Sequence, residues 1–214
     1  MTSRWSHVLF DMDGTLLESG DAIMGRIART FMEYGAAVPD REELRLLLGP
    51  PTHEILGRYL KPEQLVEATA YYRGLAEADG MSGLALFDGI HDLVRDLHDA
   101  GIPLATATTK LRVEAARVLN HFEIGQYFAA VQGADPENGV NTKGDVVAAC
   151  VRDLALGTQD RPVMVGDRIF DVHGAARCGI PTVMCSWGYA DEREFAVAYT
   201  RVSSVEDLRT ELLR

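Results

Sequence analysis

Val8-Leu9-Phe10-Asp11-Met12-Asp13-Gly14-Thr15-Leu16 is an apolar run that breaks into two carboxylates and a glycine. Side chains alternate along a strand, so a strand ending in Asp11-x-Asp13 turns both carboxylates to one face and Met12 to the other. Gly14 then lets the chain turn sharply. Two carboxylates on one edge can share a hard cation such as Mg²⁺. One can attack an electrophile while the other moves a proton. An acidic turn after a strand would read the same way in isolation. The rest of the chain separates the two readings.

From residue 87 onward, helical and buried apolar patterns alternate. Residues 90–100 have helical spacing through Ile90, Leu93, Val94 and Leu97 and close at Gly101. Buried strands are expected at 102–108, 128–131, 162–165 and 181–185, and helices at 111–122, 143–156, 169–178 and 205–213. Such alternation implies a parallel sheet covered on both faces. Residues 16–84 break the pattern and read as helix after helix, at about 21–35, 40–48, 51–60 and 62–79. The expected fold is α/β, a doubly wound Rossmann-like parallel sheet core with an inserted all-helical cap domain. Residues 1–15 and 85–214 form the core and 16–84 the cap. In open α/β sheets, ligands bind at the carboxyl ends of the strands. An insert leaving just after the first strand is therefore placed to act as a lid.

The polar residues fall at matching positions. Asp11 and Asp13 end the first strand; Thr108, Thr109 and Lys110 end a second and open a helix; Lys143 opens another helix; Asp167 ends a later strand in Gly166-Asp167-Arg168-Ile169-Phe170-Asp171. In a parallel sheet these ends share one edge. The chemistry suits phosphate. A helix N-terminus after Thr108 would offer N–H groups and partial positive charge to an anion, and the Thr108 hydroxyl a further hydrogen bond. Lys143 can neutralise both the phosphate and the crowded carboxylates. Asp11, the backbone carbonyl of Asp13, Asp167 and waters could complete an Mg²⁺ shell. Lysine is rare here: Lys and Arg total 21, and only Lys61, Lys110 and Lys143 are lysines. A compact point charge in place of a planar fork marks a site that needs one.

Composition bounds the alternatives. A chain of 214 residues, 47% hydrophobic and 25% charged, is one large domain or a domain with an insert. A net charge of -11 argues against nucleic acid and against an anionic membrane. No apolar run approaches the ~20 residues that span a bilayer, and residues 1–7 lead to the first strand without a signal-peptide core. Cys150, Cys178 and Cys185 are odd in number, lack metal-ligand spacing and read as buried reduced thiols of a cytoplasmic protein. The oligomeric state is left open between monomer and homodimer.

Asp11-Met12-Asp13-Gly14-Thr15-Leu16, Thr108, Lys143 and Gly166-Asp167-Arg168-Ile169-Phe170-Asp171 resemble, in order, the four motifs of the haloacid dehalogenase superfamily. Ile180-Pro181-Thr182, Trp187-Gly188-Tyr189 and Gly49-Pro50-Pro51 resemble its phosphoglycolate phosphatase-like branch. The resemblance implies an Mg²⁺-dependent phosphatase acting on a small phosphorylated metabolite. Asp11 would be the nucleophile, and Asp13 the general acid and then base. Thr108, Thr109 and Lys143 would hold the phosphate. Asp11, Asp13 and Asp167 would bind the metal with Asp171 in support, and Gly49, Pro50 and His53 of the cap would bear on specificity. Two positions depart from the pattern: Thr109 stands where asparagine is common, and Gly144 follows Lys143 where proline is frequent. Phosphomutase and non-catalytic binding protein remain alternatives. A dehalogenase would leave the second acid idle, and the sole cap lysine, Lys61 before Pro62, is poorly placed for a phosphonatase imine. Arg58 and Arg73 are further cap candidates for a substrate carboxylate. Arg168 would either steady the acidic cluster or be exposed, and His173 is expected to face away.

Overall fold

The computed structural model describes residues 4–214. Residues 1–3, the start of the segment read as leading into the first strand, lie outside the described residues. In chain order the elements are β1 (His7–Phe10), β2 (Leu17–Glu18), α1 (Gly20–Glu33), α2 (Arg41–Leu46), α3 (Thr52–Leu56), α4 (Leu65–Asp79), β3 (Ala85–Leu86), α5 (Ile90–Asp99), β4 (Leu104–Leu111), α6 (Arg112–His121), β5 (Phe128–Ala134), α7 (Lys143–Asp153), β6 (Pro162–Gly166), α8 (Ile169–Ala176), β7 (Thr182–Cys185), β8 (Thr200–Val202) and α9 (Val205–Leu213). The chain divides into two compact units, one of Met1–Glu18 with Leu86–Arg214 and one of Ser19–Ala85.

The larger unit is built on a six-stranded sheet in the order β5-β4-β1-β6-β7-β8. The described pairings within it are parallel. From β1 the chain runs outward through β4 to β5, then crosses back to β6, β7 and β8 on the other side. Right-handed crossovers in opposite directions put helices on both faces, which is the doubly wound arrangement. β1 is central because Val8, Leu9 and Phe10 are apolar on both faces; all three are fully buried. One core cluster joins Leu9, Ala105 and Met164 of the sheet to Val146, Val147 and Cys150 of α7 and Ala175 of α8. Cys150, Cys178 and Cys185 are all free thiols; Cys150 and Cys185 are buried as expected, whereas Cys178, near the C-terminal end of α8, is exposed.

The smaller unit contains helices α1 to α4 and a one-turn 3₁₀ helix, Pro62–Gln64. Helix α2 starts where the Asp40 carboxylate accepts the Glu43 N–H at 2.9 Å. The expected helices 40–48 and 51–60 contract to α2 and α3, since Gly49, at φ +117, and Pro50 interrupt the helical run. Among the described residues no helix is long and apolar enough to cross a membrane.

Candidate active site

Asp11 directly follows β1, and its backbone N–H donates to the Val165 carbonyl at 2.8 Å, which seats the strand end beside β6. Beyond it the chain doubles back: the N–H groups of Thr15, Leu16 and Leu17 converge on the Met12 carbonyl at 3.1, 2.9 and 2.8 Å. Met12 is fully buried. Gly14 adopts φ +84, and a Cβ there would lie 2.3 Å from Asp167 Oδ2, so the turn and the close approach both require glycine.

The two carboxylates of the opening motif have different partners. Asp11 Oδ1 lies 2.7 Å from Lys143 Nζ, deep in the protein. Asp13 Oδ2 lies 3.1 Å from Lys110 Nζ, with side-chain exposures of 22% and 11%. Lys143 opens α7 behind a Thr142 N-cap, whose hydroxyl accepts the Asp145 N–H at 3.2 Å. Its ammonium also sits 2.8 Å from Asp171 Oδ1 and donates to the Ala107 carbonyl at 2.8 Å. A Cβ at Gly174 would fall 2.5 Å from Lys143 Cγ, so that glycine of α8 makes room for the lysine stem.

Asp167 and Asp171 flank the β6–α8 turn. Asp167 Oδ2 accepts the Tyr189 N–H at 2.7 Å. Asp171 Oδ2 accepts the Arg168 N–H at 3.0 Å. The Arg168 guanidinium is buried against Glu194, with Nε to Oε2 and Nη2 to Oε1 both at 3.1 Å, and the Ile169 N–H also donates to Glu194 Oε2 at 2.6 Å. Arg168 thus steadies this turn and is not exposed. Neither Glu194 nor the Tyr189 N–H was foreseen from sequence, where Trp187-Gly188-Tyr189 bore only on the family resemblance. A charged residue reaching back from a short 3₁₀ helix, Glu192–Val197, carries no local signal.

The helix expected at 111–122 is present as α6, but its N-terminus lies at Arg112, four residues beyond Thr108. β4 runs on through Thr108, Thr109 and Lys110 to Leu111, and α6 begins at Arg112. Ala107 pairs with Gln132 and Leu111 with Ala134, so four steps on β4 match two on β5. The two extra residues form a bulge, which re-aims side chains at a strand end. The Thr108 hydroxyl accepts the Lys110 N–H at 3.2 Å inside it. The bulge presses on Gly133, where a Cβ would lie 2.5 Å from the Lys110 carbonyl oxygen.

Burial dominates the electrostatics. It pushes the Asp11 carboxyl up to about 6, against the pull of Lys143. It pushes Asp167 well above the usual carboxylate range, helped by the neighbouring charges of Asp171 and Asp11. Burial disfavours the charged form of Lys143, but Asp11 and Asp171 outweigh it and raise its pKa above the ordinary lysine value. The carboxylate oxygens of Asp11, Asp167 and Asp171 lie within 4.8 Å of one another. Three hard oxygen donors that repel one another fit a divalent cation. Asp13 contributes no side chain to this cluster.

Of the other sequence candidates, Thr109 is half-buried beside the fully enclosed Thr108. His173 faces solvent as expected. In the smaller unit Pro50 is buried, while His53, Arg58 and Arg73 are exposed.

The protein is thus of the doubly wound α/β class, with an Asp-Lys-Asp-Asp cluster at the sheet edge where that class binds its ligands. The chain belongs to the haloacid dehalogenase-like hydrolases, whose family model matches residues 8–185. It is 39% identical over 209 residues to the tyrosine-protein kinase PtkA of Mycobacterium tuberculosis, covering 96% of this chain and 72% of that protein. It is 29% identical over 205 residues to the pyrophosphatase PpaX of Halalkalibacterium halodurans, covering 94% of each. A structure described as a predicted phosphatase from Clostridium acetobutylicum superposes with a TM-score of 0.91 at 31% identity, covering 98% of each chain.

Proposed function

We propose that this protein is a phosphatase that hydrolyses a small phosphate monoester through a phosphorylated Asp11. The observation that carries the reading is the buried Lys143 ammonium held between Asp11 and Asp171, with Asp167 alongside, at the end of a central strand. In the first half-reaction an Asp11 oxygen forms a bond to phosphorus while the bond from phosphorus to the leaving oxygen breaks, and Asp13 gives that oxygen a proton. In the second, water attacks the phosphorus of the aspartyl-phosphate, Asp13 takes a proton from it, and Asp11 is freed with inorganic phosphate. Thr108, Thr109 and Lys143 hold the phosphoryl oxygens. Asp11, Asp167 and Asp171 would hold Mg²⁺, which would supply positive charge against the phosphate and offset the crowding of these carboxylates. Specificity is assigned to the helical unit around Gly49, Pro50 and His53, and phosphoglycolate is the favoured substrate on the strength of the branch motifs.

The test is turnover of a panel of phosphate monoesters, with inorganic pyrophosphate included, by purified protein with Mg²⁺ and with EDTA. Release of phosphate from at least one member, abolished by EDTA and restored by Mg²⁺, is the expected result. Activity no higher than that of an Asp11→Asn variant throughout would overturn it. The name of the 39% identical relative favours a second reading, in which the phosphoryl group passes to a tyrosine. Protein-bound label from γ-labelled ATP, stable to hydroxylamine as a phosphotyrosine is and an acyl phosphate is not, would favour that reading.

A further inference from the structure

Two of the three lysines in the chain lie against the carboxylates of the opening motif. Lys143 lies deep in the site, in contact with Asp11, Asp171 and the Ala107 carbonyl. Lys110 lies in a different setting. It belongs to a bulge that extends β4 past its register with β5 and that needs Gly133 beneath it. The bulge delivers its ammonium to Asp13, the more exposed of the two carboxylates, at 3.1 Å. The geometry gives the site two cationic positions, one at Asp11 and one at Asp13.

We propose that Lys110 is a specificity-determining residue that selects substrates whose leaving group carries its own negative charge. This rests on the reading of Asp13 as the proton donor to the leaving oxygen. A donor works at hydrogen-bond distance, so an ammonium 3.1 Å from Asp13 lies within roughly 6 Å of that oxygen. A carboxylate or second phosphate one or two bonds beyond the oxygen falls inside that reach. Without Lys110 such a group would meet Asp13 in a site already crowded by Asp11, Asp167 and Asp171. With it, the leaving side presents an ammonium to the incoming anion while Asp13 carries the proton that it gives to the leaving oxygen. Lysine suits this role better than arginine, since a flexible point charge can turn from one oxygen to another without matching a planar fork. A neutral alcohol as leaving group gains nothing from it.

The test uses a matched pair, 2-phosphoglycolate and 2-hydroxyethyl phosphate, whose leaving groups differ in carrying a carboxylate or a hydroxymethyl group. The readout is the ratio of their kcat/KM values in wild type, Lys110→Met and Lys110→Arg, each with its unfolding midpoint measured. Wild type is expected to favour phosphoglycolate. Lys110→Met is expected to lower the ratio by ~10–100-fold, the size of one charge-assisted hydrogen bond. Lys110→Arg, which keeps the charge, is expected to restore it to within about tenfold of wild type. A ratio unchanged in Lys110→Met overturns the inference even if both rates fall, because a lysine that only holds Asp13 in place would slow both substrates alike. Equal wild-type rates on the pair also overturn it. Both results leave the phosphatase reading standing. A wild-type protein inert to every phosphate tested removes that reading and this inference with it.

Discussion

In the proposed reaction Asp11 is the residue on which the chemistry turns. It is the one carboxylate of the cluster that is both paired with Lys143 and fixed to β6 through its own backbone. Asp11→Asn keeps the size and most hydrogen bonds but removes the charge that the proposed mechanism uses to attack phosphorus. It is expected to lower kcat by ~10⁴-fold or more without unfolding the protein, measured by phosphate release and circular dichroism. Turnover within about tenfold of wild type would take the nucleophile role from it. At Arg26 the expected effect is on stability. It is 5% exposed on α1, has the Tyr72 ring 5.7 Å away, and its Nε has no hydrogen-bond partner. A buried cation whose Nε is left unsatisfied costs stability that an apolar side chain of similar length does not. Arg26→Met is therefore expected to raise the melting temperature by roughly 2–4 °C. A fall would mean that the Tyr72 face compensates the guanidinium more than its burial costs.

Among the elements, the end of β4 bears most on the proposed reaction. Gly133→Ala places a methyl 2.5 Å from the Lys110 carbonyl oxygen, and the contact is with backbone, which cannot swing aside. The bulge must move, and Thr108 and Lys110 with it. The variant is expected to lose ~1–3 kcal/mol of stability and to lose activity beyond that, read from denaturant unfolding and kcat/KM. Wild-type kinetics in a stably folded Gly133→Ala would show that the bulge does not serve the site. This bulge was not legible in the sequence. Thr108-Thr109-Lys110 suits a helix cap as well as a strand, and the choice is made by the pairing of Leu111 with Ala134 across the sheet. β8 was missed for a related reason, since Thr200-Arg201-Val202 is short and half polar and becomes a strand only because β7 offers an edge. The buried central strands were legible because Val8-Leu9-Phe10 and Val163-Met164-Val165 are apolar on both faces. Asp11, Lys143 and Asp167 were legible because each stands where such a run ends or a helix starts. Glu194 and the Tyr189 N–H reach the site from distant loops, where spacing carries no information.

For the whole molecule, the acidic cluster couples protons, metal and stability. Burial raises Asp11 to about 6 and Asp167 well above the usual range. An acid whose folded pKa is raised binds more protons folded than unfolded, so these groups withdraw stability as pH rises from the ordinary carboxylate pKa through the folded value. A divalent cation competes with those protons. The gain in melting temperature on adding Mg²⁺ is therefore expected to be small at pH 5 and larger at pH 7.5, by scanning calorimetry at fixed ionic strength. Equal gains at both would mean that the cation binds elsewhere.

The sheet order has a consequence for how the chain is made. β1 is synthesised first, yet its neighbours are β4, which begins at Leu104, and β6, which begins at Pro162. A strand with no polar side chain from Val8 to Phe10 thus waits on the ribosome with both edges unpaired until most of the chain has emerged. The nascent polypeptide has to be kept from pairing with other chains during that interval. The Ser19–Ala85 unit, whose contacts are local helix pairs, can fold meanwhile.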